Sequence, residues 1–113
     1  MRYALLICQD ETVDVTPEER STRFAAFTEF QDEMTARGIL LGGERLRPTT
    51  TATTVQVRGG DLVIADGPFA ETKEQIAGFY LVECVDLDEA IEVASKIPTA
   101  DVDTIEVRPV WER

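Results

Sequence analysis

The run Arg2 to Cys8 sets Tyr3, Leu5 and Ile7 on one side of an extended chain and Ala4, Leu6 and Cys8 on the other. Apolar positions on both faces predict a central strand. A polar stretch follows and closes with Thr16-Pro17-Glu18-Glu19. Thr16 suits a helix cap, Pro17 the first helical position and Glu19 the reciprocal place in a capping box, so a helix begins at Pro17. Phe24, Phe27, Phe30 and Met34 recur every three to four residues and predict an aromatic stripe that packs on a sheet, until Gly38 stops the helix.

Ile39-Leu40-Leu41 predicts a short strand weakened by Gly42 and Gly43, and Pro48 ends the run that follows. The tract from Thr49 to Thr54 is β-prone and otherwise uninformative. Val55 and Val57 alternate with polar residues, Gly59-Gly60 signals a hairpin and Leu62-Val63-Ile64 returns, which predicts an exposed two-stranded ribbon. Gly78 to Val85 is the second strongly apolar strand, with Phe79, Leu81, Glu83 and Val85 on one face and Tyr80, Val82 and Cys84 on the other. Asp86 and Glu89 open a second helix whose stripe is Leu87, Ala90, Ile91, Ala94 and Ile97, and Thr104 to Val110 forms the last strand. Strands separated by helices in this order predict an α+β fold, a ferredoxin-like two-layer sandwich with an extra β-hairpin. Two helices cover one face of such a sheet. The other apolar face predicts a homodimer with sheets opposed.

At 113 residues the chain forms a single domain, residues 1–113, and 43% hydrophobic residues suffice for a core. A net charge of −11 repels a phosphate backbone, so no direct nucleic-acid partner is expected. Histidine is absent, which excludes His-activated Ser or Cys nucleophiles and His-based zinc sites. Cys8 and Cys84 sit in separate strands and read as two buried free thiols, so no metal is expected. No apolar run has the length of a membrane span and the N-terminus lacks a cleavage site, so the expectation is a cytoplasmic protein without a membrane partner. Glycine-rich dinucleotide and phosphate motifs are missing, and no cofactor is expected.

Chemistry concentrates in the loop Asp66-Gly67-Pro68-Phe69-Ala70-Glu71-Thr72-Lys73-Glu74. It joins carboxylates, an ammonium and an aromatic ring around a preformed turn. Asp66 or Glu71 is a candidate general base, and Arg108 or Lys73 a candidate clamp for an anionic or enolate oxygen. Phe69, Lys73 and Glu83 are candidate ligand-binding residues. Turn chemistry alone offers other roles: Asp66 capping an Asx-turn, Phe69 anchoring the loop in the core, and Glu83 pairing with Arg108 or another cation.

The segments MRYALLICQDE, GGERLRPTTTATTVQVR, DGPFAETKEQIAGFYLVECVDLDEAIEVASKIP and IEVRPVWE together resemble the YCII-related family, and specifically its DGPF-motif branch. The likeness covers almost the whole chain. It implies a ferredoxin-like fold that pairs through its sheets into a dimeric α/β barrel. The same superfamily holds monooxygenases, dehydrochlorinases, isomerases and ligand-binding proteins, so fold is implied more sharply than activity. Better-studied YCII-like proteins carry a His on the first helix paired with an Asp near the end of the second. Here those places hold Phe24, Phe27 and Phe30, and Lys96-Ile97-Pro98, so that pair does not transfer. The resemblance implies a module for a small molecule or a protein partner, with a sigma-factor-type protein as one such partner. The alternative is a metal-independent lyase or isomerase using carboxylate acid-base chemistry on a small aromatic or carbonyl compound.

Overall fold

The structure, a computed structural model, describes residues 1–112. In chain order it comprises β1 (Arg2–Gln9), α1 (Pro17–Ala36), β2 (Leu40–Arg45), a 3-10 turn (Thr49–Thr51), β3 (Thr53–Arg58), β4 (Asp61–Asp66), β5 (Gln75–Glu83), α2 (Leu87–Ser95) and β6 (Thr104–Pro109). Four strands form one antiparallel sheet in the order β2-β5-β1-β6, and β3-β4 form a separate ribbon. This α+β arrangement is compatible with the ferredoxin-like expectation. Among the described residues no helix is long and apolar enough to cross a membrane.

Both helices lie on the face that carries Tyr3, Leu5, Ile7, Tyr80 and Val82. Thr16 caps α1 as expected, its Oγ1 accepting from the Glu19 N–H at 3.1 Å, and Asp86 caps α2 by accepting from the Glu89 N–H at 2.9 Å. Helix α1 touches the core only through its second half, where Phe30 and Met34 are buried and Phe27 is partly so. Phe24 is 72% exposed, so the aromatic stripe is shorter than its periodicity predicts. Its first turns extend past the core. The ring of Phe30 lies 5.3 Å from that of Tyr80, whose hydroxyl accepts from Gln31 Nε2 at 2.8 Å. In α2 the inward residues are Ala90, Val93 and Ala94, joined by Ile97 just past its end, while Leu87 and Ile91 of the expected stripe are exposed. An i, i+3, i+4, i+7 set starting at Ala90 is the one that meets the sheet.

Strand β2 runs through the two glycines instead of stopping at them. A β-carbon at Gly43 would lie 2.5 Å from the Phe79 carbonyl oxygen and 2.6 Å from Tyr80 Cδ1. Glycine here permits close approach of β2 to β5, so it is part of the strand. The register of the sheet puts Ala4, Leu6, Cys8, Ile76, Phe79 and Leu81 on the face away from the helices. Glu83, Glu106 and Arg108 flank them on that same face. Among the described residues, neither helix covers this apolar centre.

The ribbon turns at Gly59 and Gly60, with φ of 59° and 84°. Two successive positive φ values give the hairpin turn that matches strand twist, which is why both positions are glycine. It pairs Val55 with Ile64 and Val57 with Leu62, and it lies largely clear of the main sheet and helices.

Candidate functional site

Three connections meet at the end of the sheet where Gln9 pairs with Gln75. The first follows β1. Asp10 Oδ1 accepts from the Thr12 N–H at 3.0 Å and from Thr12 Oγ1 at 2.6 Å. These bonds, with the nearby charge of Lys73, hold the Asp10 carboxyl below its ordinary range. Next in line, Glu11 reaches across to the 3-10 turn and accepts from the Thr49 N–H at 3.0 Å and from the Thr49 hydroxyl. One carboxylate thus ties the β1–α1 connection to the segment that leads into β3.

The third connection is the Asp66–Glu74 loop. Gly67 adopts φ of 92°, a left-handed conformation that glycine takes without strain. Its N–H donates to the Ala52 carbonyl at 2.8 Å, and its carbonyl accepts from Thr54 Oγ1 at 2.7 Å. Further along, Gln75 Nε2 donates to the carbonyls of Ala70 at 2.9 Å and Thr72 at 3.3 Å, and Thr72 Oγ1 donates to that of Glu74 at 2.6 Å. The loop is held by backbone groups and by Gln75. Its charged side chains make none of these bonds.

Between these connections lies a cleft of about 300 Å³. One wall is Glu11 and Thr12, the second Thr49 and Thr50, and the third Pro68, Glu71, Thr72 and Lys73, with Gln75 also lining it. Its volume lies at the small end of the range for small-molecule sites. Glu11 is engaged with Thr49, whereas among the described residues Glu71 and Lys73 form no ion pair or side-chain hydrogen bond. The cleft therefore presents one carboxylate and one ammonium beside the Thr50 hydroxyl, those of Thr12, Thr49 and Thr72 being donated to Asp10, Glu11 and the Glu74 carbonyl.

Of the residues singled out from sequence, the structure brings only Glu71 and Lys73 together in this cleft. Asp66 ends β4 opposite Thr53, and among the described residues its carboxylate accepts no hydrogen bond; the turn it was expected to cap is held by Gly67 instead. Phe69 is 82% exposed, so it does not anchor the loop in the core. Arg108 lies on the open sheet face opposite Ala4 and pairs with Glu106. Glu83 is on that face near the other end of β5, where its exposed carboxylate meets the N-terminal ammonium at 3.4 Å. It borders a shallower depression of about 510 Å³, with Arg37, Cys84 and Glu89 also lining it. Asp66, Glu71 and Arg108 do not converge in the single chain.

Sequence reasoning missed Glu11, Thr12, Thr49 and Thr50. The Asp-x-Thr spacing at Asp10 is a local signal of an Asx-type turn and was there to be read. Nothing local marks the threonine tract as a wall, because its place depends on a bond made by Glu11, 38 residues earlier. Both cysteines are free; Cys84 is buried, while Cys8 is half-buried on the open face. Burial pushes both thiols up. Among the described residues no group of three His, Cys, Asp or Glu side chains is placed to hold a metal ion.

An uncharacterised protein of Rhizobium meliloti (strain 1021) is 40% identical over 114 residues, spanning 97% of this chain and 92% of the relative. The YCII-related domain matches residues 1–113, the full length of the chain. With a family match over every residue and a relative of nearly equal length, the chain belongs to the YCII-related family.

Proposed function

We propose that this protein is a homodimeric binding module of the DGPF branch, which pairs through its open sheet faces into an α/β barrel and takes a small polar molecule in the cleft beside Asp66–Glu74. The observation that carries the binding reading is the unpaired Glu71 and Lys73 set against Thr49 and Thr50. An ammonium and a carboxylate with nearby hydroxyls suit a compound that bears both an acceptor and a donor, such as an amino- or hydroxy-substituted acid. Pairing is supported by the apolar centre Ala4, Leu6, Phe79 and Leu81, which two helices on the opposite face leave in water. Separation of Arg108 from Glu71 within one chain favours binding over proton abstraction assisted by a guanidinium.

A thermal-shift screen of a metabolite collection tests the binding reading, with light scattering on the same sample for the dimer. A ligand at about 100 times its dissociation constant stabilises by about 2.7 kcal/mol. Lys73→Ala and Glu71→Gln are expected to abolish the shift while keeping the unliganded melting point. A hit whose shift survives both substitutions would place the ligand elsewhere. Turnover of the hit, lost in Glu71→Gln, would instead establish the lyase or isomerase alternative.

A further inference from the structure

The pairing of β1 with β5 breaks register just before the cleft. Ile7 faces Gly78 and the next residue, Cys8, faces Ile76, so Ala77 is an extra residue in β5. A bulge of this kind re-aims the side chains beyond it. In a regular strand Gln75 would fall on the open face with Phe79 and Leu81, because side chains alternate. The extra residue instead sets it opposite Gln9, on the face of Tyr3, Leu5 and Ile7, and there it lines the cleft. The bulged residue is itself tied down, its carbonyl accepting from the Leu46 N–H at 2.8 Å.

The bonds of the re-aimed amide bear on the two free charges of the cleft. Among the described residues, no backbone-to-backbone hydrogen bond involves residues 68–73, so this stretch depends on side chains for its shape. Gln75 Nε2 donates to the carbonyls on either side of Glu71, at 2.9 Å to Ala70 and 3.3 Å to Thr72. Thr72 Oγ1 in turn donates to the Glu74 carbonyl at 2.6 Å, which closes the backbone around Lys73. Glu71 and Lys73 thus stand between peptide units that are already fixed.

We infer that Gln75 is the positioning residue of the cleft: aimed by the Ala77 bulge, it holds Glu71 and Lys73 at the spacing a ligand meets, so the site is formed before anything binds. This rests on the binding reading given above. A site ordered in advance loses less conformational freedom when it is filled.

The test is backbone 15N relaxation of the full chain, with two variants. Gln75→Met keeps the length of the side chain and removes the donor. Gln9→Met is the control, because Gln9 is the strand partner of Gln75 and donates from the same end of the sheet to Asp103 instead, at 3.2 Å. Order parameters of Glu71 and Lys73 are expected at about 0.85 in the unaltered protein and below about 0.6 in Gln75→Met, with Gln9→Met leaving them unchanged. Gln75→Lys returns an N–H donor and is expected to restore the order. Should Gln75→Met fail to fold, the unaltered protein and Gln75→Lys still decide. A loop that is mobile in the unaltered protein, or that keeps its order in Gln75→Met, or that is loosened equally by Gln9→Met, overturns the role given to Gln75. A loop ordered by Gln75 in a chain that takes no compound from the metabolite collection overturns the binding reading and leaves the clamp standing.

Discussion

At Asp10, two short bonds from Thr12 turn an exposed carboxylate into a fixed end for β1. Its folded-state pKa is depressed, so the stability it contributes is present above the unfolded carboxylate pKa and is lost as pH falls through the folded value. Thr12→Ala removes the hydroxyl bond. At neutral pH the variant is expected to melt below the wild type, with the gap narrowing as Asp10 is protonated in acid. An Asp10 carboxyl resonance titrating at higher pH in the variant would confirm the cause, and an equal gap in acid and at neutrality would show that Thr12 acts through packing instead. Glu11, one residue on, has a different function, since its bonds to Thr49 join two of the segments that line the cleft. Neighbouring carboxylates are thus divided between ending a strand and building a site.

Strand β2 shows how an element overrides local preference. Glycine is disfavoured in strands, yet Gly43 is required where the backbone of β5 comes closest. Gly43→Ala pushes a methyl into the Phe79 carbonyl and the Tyr80 ring, and Tyr80 is itself buried against Phe30. Neither neighbour yields easily, so a loss of about 1 to 3 kcal/mol is expected, as for overpacked cores. Urea unfolding measures it. A variant as stable as the wild type would mean that β2 can slide outward, and that this edge is looser than the register implies. Helix α1 shows the complementary case: its caps and periodicity are locally sound, but only the half that overlies the sheet finds a core to enter.

On the scale of the whole molecule, the sheet has one finished face and one open face, and the two thiols report on them separately. Cys84 lies in the core, so a thiol reagent is expected to leave it unmodified until the protein unfolds. Cys8 belongs to the open face, and burial raises its pKa, which lowers its thiolate fraction at neutral pH. Its modification is expected to be slow in the dimer and to accelerate on dilution below the dissociation midpoint. Concentration-independent reactivity of Cys8 would argue that the open faces do not pair. The high negative charge opposes any association of two copies at long range, so pairing at low salt is expected to be weaker than at moderate ionic strength.

Periodicity and capping chemistry were enough to determine the number and order of the main elements, because Thr16, Asp86 and the alternation in β1, β5 and the ribbon act within a few residues of themselves. The same local information made Asp66–Glu74 stand out, and four of its residues, Pro68, Glu71, Thr72 and Lys73, do line the cleft. Tertiary structure decided the rest. Whether Phe24 is buried depends on where the sheet ends beneath α1, and whether Gly43 breaks a strand depends on how near β5 lies. The cleft is built from segments some 60 residues apart, held by Glu11 to Thr49 and by Gly67 to Ala52. Arg108 and Glu83 differ in the same way: their charge is legible in the chain, but register sends one to Glu106 and the other to the N-terminal ammonium, away from the loop they were grouped with. A side chain's type is a local property, whereas its neighbours are set by strand pairing and chain crossing, which no short window of sequence contains.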